Sequence, residues 1–247
     1  MSAARSRVLA RLSVIAALAA CGAGLNGVAN ASSAPLGLDV SSHQHPYGAS
    51  ISWPAVRASG RVFALIKATE GSSYTNPYFR SDWAGSQSAG LLHGAYHFAR
   101  PSEGSAVAQA DRFITVAGTA QQRGDLPPVL DLEDSGGLAP AQLITWTQAF
   151  VNEVQRLTGR KPIIYTYGQF WQDAMAGTSQ FAGYPLWIAS YYSAPSTTGA
   201  WPEWTLWQYS YTARIPGVSV AVDADQFNGT RRQLRILANL NAHRGNR

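Results

Sequence analysis

The sequence predicts an α/β barrel, parallel through most of its course and irregular toward its end. Short β-rich runs recur along the chain and end in polar or acidic residues, as strands do when function sits at their carboxyl ends. Amphipathic helical stripes separate the early runs, and strand alternating with helix is the pattern of a parallel sheet closed on itself. Beyond the sixth run the stripes stop and Ser, Thr, Gly and Pro fill the gaps, so the last connections read as loops or hairpins.

Eight strands are expected, at 36–40, 63–67, 94–98, 129–132, 162–167, 186–189, 204–208 and 218–227. Helices fit 53–59 and 78–89 between the first three. A clearer stripe follows through Ala106, Ala110, Phe113, Ile114 and Ala117. The clearest joins Leu143, Trp146, Phe150, Val154 and Leu157, and Gly159 with Pro162 ends it. A fifth helix, near 170–176, is short. After the last strand Leu234, Ile236, Leu237 and Leu240 outline a closing helix with Thr230 as its cap. That reading is preferred to Asn228-Gly229-Thr230 as a glycosylation acceptor.

The first 31 residues stand apart, because Arg5, Arg7 and Arg11 precede an apolar stretch at 12–20 and no acid accompanies them. This is the layout of a secretory signal. Ala29-Asn30-Ala31 offers the favoured cleavage site, while Leu18-Ala19-Ala20-Cys21 supports a competing reading with a lipid anchor on Cys21 and a small-residue tether at 22–34. Either way the working domain is expected outside the cytoplasm. Residues 32–35 then form a short linker, 36–240 one barrel domain and 241–247 a basic tail.

Setting the leader aside leaves 216 of the 247 residues, room for one large core. The leader holds three of the 19 basic residues and none of the 14 acids, so the remainder carries a net charge of only +2. That excess is too small to argue for nucleic acid as a partner. Cys21 is the sole cysteine, which rules out an intrachain disulfide. No apolar run after the leader is long enough to span a bilayer. A monomer without cofactor is expected.

The strongest local signal is Val129-Leu130-Asp131-Leu132-Glu133, an apolar strand whose exit carries carboxylates at i and i+2. On a strand such side chains share a side, roughly 6 to 7 Å apart. Charges that close in a shielded cleft resist joint ionisation, so one group keeps a proton near neutral pH, as a glycosidase acid must. Alone, the motif leans toward cation binding or helix capping. Acids at other strand exits shift the balance: Asp39, Glu70, Asp223 and Asp225 would converge in one bowl. A metal cluster is disfavoured, because no H-E-x-x-H occurs and the five histidines lack ligand spacing. Neither a G-x-S-x-G elbow nor a phosphate loop is present.

Aromatic residues crowd the same strand ends, and flat rings with polar edges suit sugar faces. Alternation sends about half of them away from a cleft. Tyr96, Tyr167, Trp187 and Tyr191 are assigned to the bowl. Lys67 and Gln208, also at exits, are candidates to fix a carboxylate or a sugar hydroxyl, with a structural salt bridge an equal alternative for Lys67. His43, His45, His93 and His97 are expected in structural or loop roles.

Six ordered motifs then match something known: Gly37-Leu38-Asp39-Val40-Ser41, Ile66-Lys67-Ala68-Thr69-Glu70-Gly71, Gly94-Ala95-Tyr96-His97-Phe98, Leu130-Asp131-Leu132-Glu133, Trp207-Gln208-Tyr209 and Val222-Asp223. From about Leu36 to Leu240 the chain resembles the family 25 glycoside hydrolases, the lysozymes called N-acetylmuramidases. The resemblance implies an irregular TIM-like (β/α)5(β)3 barrel in a single domain. It also implies cleavage of the β-1,4 bond between N-acetylmuramic acid and N-acetylglucosamine in bacterial peptidoglycan. By position, Glu133 matches the family's acid, Asp131 its partner, and Asp39 and Asp223 the other acids of the bowl. Val222-Asp223-Ala224-Asp225 departs from the pattern, since many relatives follow the single aspartate with Asn. Asp225 is therefore a lesser candidate that adds negative charge. The family often adds wall-binding repeats after the barrel; none follows here, so affinity is expected from the cleft itself.

The i, i+2 acids resemble the substrate-assisted exception to the two-carboxylate scheme, which retains anomeric configuration. An inverting route through Asp39 or Asp223 stays open. Two other functions compete: a chitinase-like enzyme, whose D-x-D-x-E needs an acid where Val129 stands, and a glycan-binding module without activity.

Overall fold

The computed structural model describes residues 34–196 and 201–239. The expected leader, Cys21, the first half of the linker, Leu240 and the basic tail lie outside the described residues. The chain forms β1 (Leu36–Val40), α1 (Trp53–Ala58), β2 (Phe63–Glu70), β3 (Tyr74–Thr75), α2 (Phe79–Ser88), β4 (Leu92–Phe98), α3 (Ala106–Ala117) and β5 (Val129–Asp131). It continues with α4 (Pro140–Thr158), β6 (Ile163–Tyr167), α5 (Gly168–Ala174), β7 (Leu186–Ala189), β8 (Leu206–Ala213), β9 (Val222–Phe227) and α6 (Arg231–Leu237).

Neighbouring strands follow the order β1-β9-β8-β7-β6-β5-β4-β2, and pairing of β1 with β2 closes the ring. From β1 through β8 the pairings around the ring are parallel, whereas β9 runs antiparallel to both β8 and β1. Helices α1 to α5 follow β1, β2, β4, β5 and β6 in turn, so the architecture is an irregular (β/α)5(β)3 barrel. The extra strand, β3, pairs only with the end of β2 and was not legible in the sequence. Its turn passes through Gly71, whose φ of +51° is open to glycine without strain.

Period-2 alternation sorts the strand residues into two cores. Leu38, Ile66, Leu130, Ile164 and Ile188 face outward and pack under Phe113, Phe150 and Val154 of α3 and α4. Phe63, Leu65, Val129, Ile163, Leu206 and Phe227 face inward and fill the barrel, with Leu234 and Ala238 closing its floor from the α6 end. Each fully buried Leu, Ile, Val or Phe side chain contributes about 1.5–3 kcal/mol relative to exposure. The interior is tight enough that Gly37 cannot carry a side chain: a Cβ there would lie 2.3 Å from the Phe63 ring. The cap Thr230 accepts from Gln233 N, as its reading as a helix start required.

Boundaries move where hydrogen bonding, which composition does not show, decides them. β5 ends at Asp131, although Leu132 N still donates to Tyr165 O at 3.0 Å. β8 starts at Leu206 and runs on to Ala213 because β9 returns beside it as a hairpin. The expected strand at 218–221 is instead irregular, with a bend at 219–220 after a turn in which Val218 N bonds to Ile215 O. In β2 a bulge between Lys67 and Thr69 shifts the register against β4. This re-aims the strand end, as bulges beside active sites do, and brings Lys67 and Glu70 to one side.

Candidate active site

At the carboxyl-terminal mouth the inward-facing residues change from apolar to polar and leave a cavity of about 280 Å³. Asp39 enters it from β1, Lys67 from β2, Tyr96 and Phe98 from β4, and Asp131 from β5. Tyr165, Trp187, Gln208 and Asp223 complete the ring from β6, β7, β8 and β9. Each has the same parity as the apolar interior residues one or two pleats below, so a single alternation builds both core and site. Past the strand ends, Glu133 and Tyr191 reach in from loops, and Ser41 and His43 from the segment after β1.

Nine of the expected site residues therefore share one cavity: Asp39, Asp131, Glu133, Asp223, Tyr96, Trp187, Tyr191, Gln208 and Lys67. Tyr167, Glu70 and Asp225 do not line it. Tyr167 has the parity of Tyr165 but is the residue at which β6 gives way to α5; its ring packs on Phe170 and is 37% exposed. Glu70 is taken up by cations: Lys67 bonds one oxygen, and Arg100 Nη2 and Nε bond the other at 2.7 and 2.9 Å. Asp225 lies one pleat below Asp223, fully buried, accepting from Trp187 Nε1 at 2.9 Å.

Four cavity residues escaped the sequence assignment. Tyr165 and Tyr167 share parity, and only depth along the strand separates them. Phe98 continues the alternation of Tyr96. Ser41 and His43 belong to a loop pinned by Gln44, whose Oε1 accepts from Ser41 N at 2.8 Å, and by His45, which meets Asp82 at 2.8 Å and stacks on Tyr78. His45, His93 and His97 are structural: His93 faces Asp125, and His97 joins Thr69 to Gln109. Burial lowers the His97 pKa to about 4, so this histidine stays neutral.

Gln208 is the fixed point of the polar wall. Its Oε1 accepts from Tyr165 O–H at 3.0 Å and Tyr191 O–H at 2.6 Å, which turns its Nε2 to donate to Asp39 Oδ2 at 2.7 Å. Burial and then the surrounding carboxylates hold the phenols of Tyr96 and Tyr165 far above their ordinary pKa, so both remain donors.

Opposite, Arg100 ties Glu70 to Asp134 Oδ2, the latter at 2.6 Å. The Arg100 and Lys67 cations lie 4.5 and 4.7 Å from the Phe98 ring centre. Gly136 N anchors Asp134 as well; that bond, with the Arg100 contact, keeps its pKa low despite some burial.

The carboxyl groups are more numerous than the site can ionise together. Burial raises the Asp39 pKa far above normal, and Asp223 and Asp225 add to this while the Gln208 bond opposes it. Burial, then the Glu133 charge, raises Asp131, against the pull of Lys67. Glu133 is raised by burial and held back by Lys67 and Arg100. Asp223 is pushed up to about 6 by burial, with Asp39 and His43 opposing. Asp131 Oδ1 is buried without a hydrogen-bond partner among the described residues. The arrangement offers a retained proton, an unsatisfied acceptor beside it and aromatic walls.

No group of His, Cys, Asp and Glu suited to a metal ion occurs among the described residues, and no described helix is long and apolar enough to cross a membrane. The family pattern for glycosyl hydrolases family 25 matches residues 38–218. The chain is 40% identical over 212 residues to Lysozyme M1 of Streptomyces globisporus, covering 82% of this chain and 71% of that protein. It is also 40% identical to an N,O-diacetylmuramidase of Chalaropsis sp, covering 70% of this chain and 87% of that protein. Among solved structures, a bacterial lysozyme from Streptomyces coelicolor superposes with a TM-score of 0.80 at 39% identity, covering 84% and 98% of the two chains. A family GH25 lysozyme from Aspergillus fumigatus gives 0.76 at 37%, covering 83% and 98%.

Proposed function

Because the chain belongs to glycosyl hydrolases family 25, we propose that it cuts bacterial peptidoglycan at the β-1,4 bond between N-acetylmuramic acid and N-acetylglucosamine, with Glu133 as the acid. It is a lysozyme-type glycoside hydrolase. The observation that carries the assignment of roles is the exit of β5, where Asp131 and Glu133 enter one sugar-sized cavity, each with a raised pKa.

Glu133 is the more open of the two and gives its proton to the leaving glycosidic oxygen. Asp131 accepts the acetamido N–H of the muramyl residue on its unpartnered Oδ1, turning the acetamido carbonyl toward the anomeric carbon. That carbonyl oxygen forms the new bond as the glycosidic bond breaks, and water then opens the cyclic intermediate while returning a proton to Glu133. Configuration is retained, in the manner of substrate-assisted glycosidases. Asp39 and Asp223 face the pair and stabilise positive charge at the anomeric centre when ionised. Tyr96, Tyr191 and Trp187 shape the sugar site.

The first 31 residues act as a secretory signal, so the enzyme meets wall outside the cytoplasm. N-terminal sequencing of the exported protein distinguishes a start at Ser32 from an acylated Cys21.

The test is digestion of purified peptidoglycan with mass spectrometry of the new reducing end. Muramic acid at that end supports the reading, and glucosamine overturns it. NMR of the first-formed product gives the β-anomer if configuration is retained, and an initial α-anomer overturns the retaining route.

A further inference from the structure

Asp225 is a buried acid that the proposed mechanism leaves unused, and unlike Glu70 it is paired with no cation among the described residues. On β9 it stands opposite Gly37 of β1 and Gln208 of β8, with its side chain wholly buried. Oδ1 accepts from Trp187 Nε1 at 2.9 Å. Oδ2 is buried and finds no donor among the described residues, and the side chain that meets Asp225 from β1 is another carboxyl, that of Asp39. Asp39 is in the complementary position. Gln208 Nε2 occupies its Oδ2, and the Gln208 amide cannot turn away because two tyrosine hydroxyls hold its oxygen.

Two ionised carboxylates in contact, away from water, repel each other strongly and leave lone pairs unsatisfied. One proton between them converts the contact into a short, charge-assisted hydrogen bond. We propose that Asp225 is a positioning residue for Asp39: the two carboxyl groups share one proton across the β1–β9 seam, with Asp225 anchored by Trp187 and Asp39 by Gln208, so that Asp39 is held at the cavity wall. The pair carries one negative charge and titrates as a unit, coupled to Asp223, which stands opposite Asp39 on β9 and also bonds it.

The charges around the pair favour this proton. Burial and the Asp223 charge raise the Asp225 pKa, while its bonds with Trp187 and Asp39 lower it. Asp39 feels Asp223, Asp225 and, from β5, Asp131. Of the basic side chains at the cavity, His43 acts on Asp223, and Lys67 of β2 and Arg100 act on Asp131 and Glu133. The tyrosines on the facing elements, Tyr96, Tyr165 and Tyr191, stay neutral donors, their phenols raised by burial. Among the described residues no basic side chain acts on Asp39 or Asp225 in this way.

Asparagine at position 225 imitates the protonated acid, with an oxygen for Trp187 and a permanent donor for Asp39. Thermal unfolding of the unaltered protein and of Asp225→Asn is compared from about pH 4 to 8; a group that keeps a proton on folding makes stability fall as pH rises. The unaltered protein loses stability more steeply, by up to one proton's dependence, and identical slopes overturn the shared proton. In kinetics, Asp225→Leu lowers kcat by about tenfold or more, the equivalent of one hydrogen bond to a charged group, with KM much less affected. Asp225→Asn recovers a large part of that loss and alters the alkaline limb of the kcat profile. Equal impairment of the Leu and Asn variants, or of neither, overturns positioning. The kinetic arm rests on Asp39 serving the proposed reaction, whereas the unfolding arm does not. Lysis surviving Glu133→Gln therefore removes the proposed acid while leaving the proton-sharing test standing.

Discussion

Gln208 Nε2 donates to Asp39 Oδ2 at 2.7 Å, joining residues 169 positions apart in the chain. Strand β9 lies between them in the barrel, so the bond spans the one antiparallel strand of the ring and ties its closure to the wall of the cavity. A loss on either side of this bond is felt in both stability and activity.

Gln208→Leu leaves Asp39 without its donor and two tyrosine hydroxyls without their acceptor. The expected cost is about 1–3 kcal/mol for the buried polar groups left unpaired, with kcat falling further than the loss of stability accounts for. Denaturant unfolding and peptidoglycan digestion measure the two effects. A variant as stable and active as the parent removes Gln208 from any supporting role.

Glu133→Gln keeps the shape of the side chain and removes its proton. Loss of a general acid lowers kcat by roughly 10²–10⁴-fold, while binding of insoluble wall persists. Release of reducing ends and co-sedimentation with wall are the readouts. Undiminished release would mean that another group supplies the proton.

Arg100→Met removes a positive charge that lowers the Glu133 pKa, and frees Glu70 and Asp134 from their shared cation. Both changes raise the Glu133 pKa. Since the acid form is the active one, the alkaline limb of the kcat profile moves to higher pH. An unmoved limb, or one displaced to lower pH, contradicts this electrostatic account. Because Arg100 and Asp134 are about a third exposed, little change in stability is expected.

Asp223→Asn tests the titration at the mouth. Burial raises the Asp223 pKa from 3.8 to about 6. A carboxyl that holds its proton more tightly when folded contributes stability below its unfolded pKa, and that contribution is lost as pH rises toward the folded value. The unaltered protein therefore loses stability relative to Asp223→Asn between about pH 4 and 6, a window set by that shift. Parallel melting curves across that window contradict the shift.

Gly37→Ala places a methyl group 2.3 Å from the Phe63 ring in the barrel interior. Overpacking of this kind costs about 1–3 kcal/mol. A chemical-denaturation midpoint that does not fall would show that Phe63 can move aside freely.

The barrel was legible because its signals are local. Ile66 and Ile164 face the helices, and Leu65 and Ile163 the interior, for the same reason of alternation that period-2 patterning exposes in the sequence. The stripe from Leu143 to Val154 buries as written. The paired acids of the β5 exit could be recognised because two residues suffice to define them. What escaped was nonlocal. The ion pairing that withdraws Glu70 depends on Arg100, thirty positions away, and on a bulge that no composition announces.

Sequence by itself determined which residues face inward and at which strand ends the acids and aromatics would gather, since the pleat imposes side-chain direction from neighbour to neighbour. Depth and partnership were decided only by the folded chain. Tyr165 and Tyr167 share a parity, as do Asp223 and Asp225, yet one of each pair meets the cavity and the other does not. The physical reason is that a side chain's environment depends on the stagger of strands around the ring, and stagger is fixed by hydrogen bonds between segments far apart in the sequence.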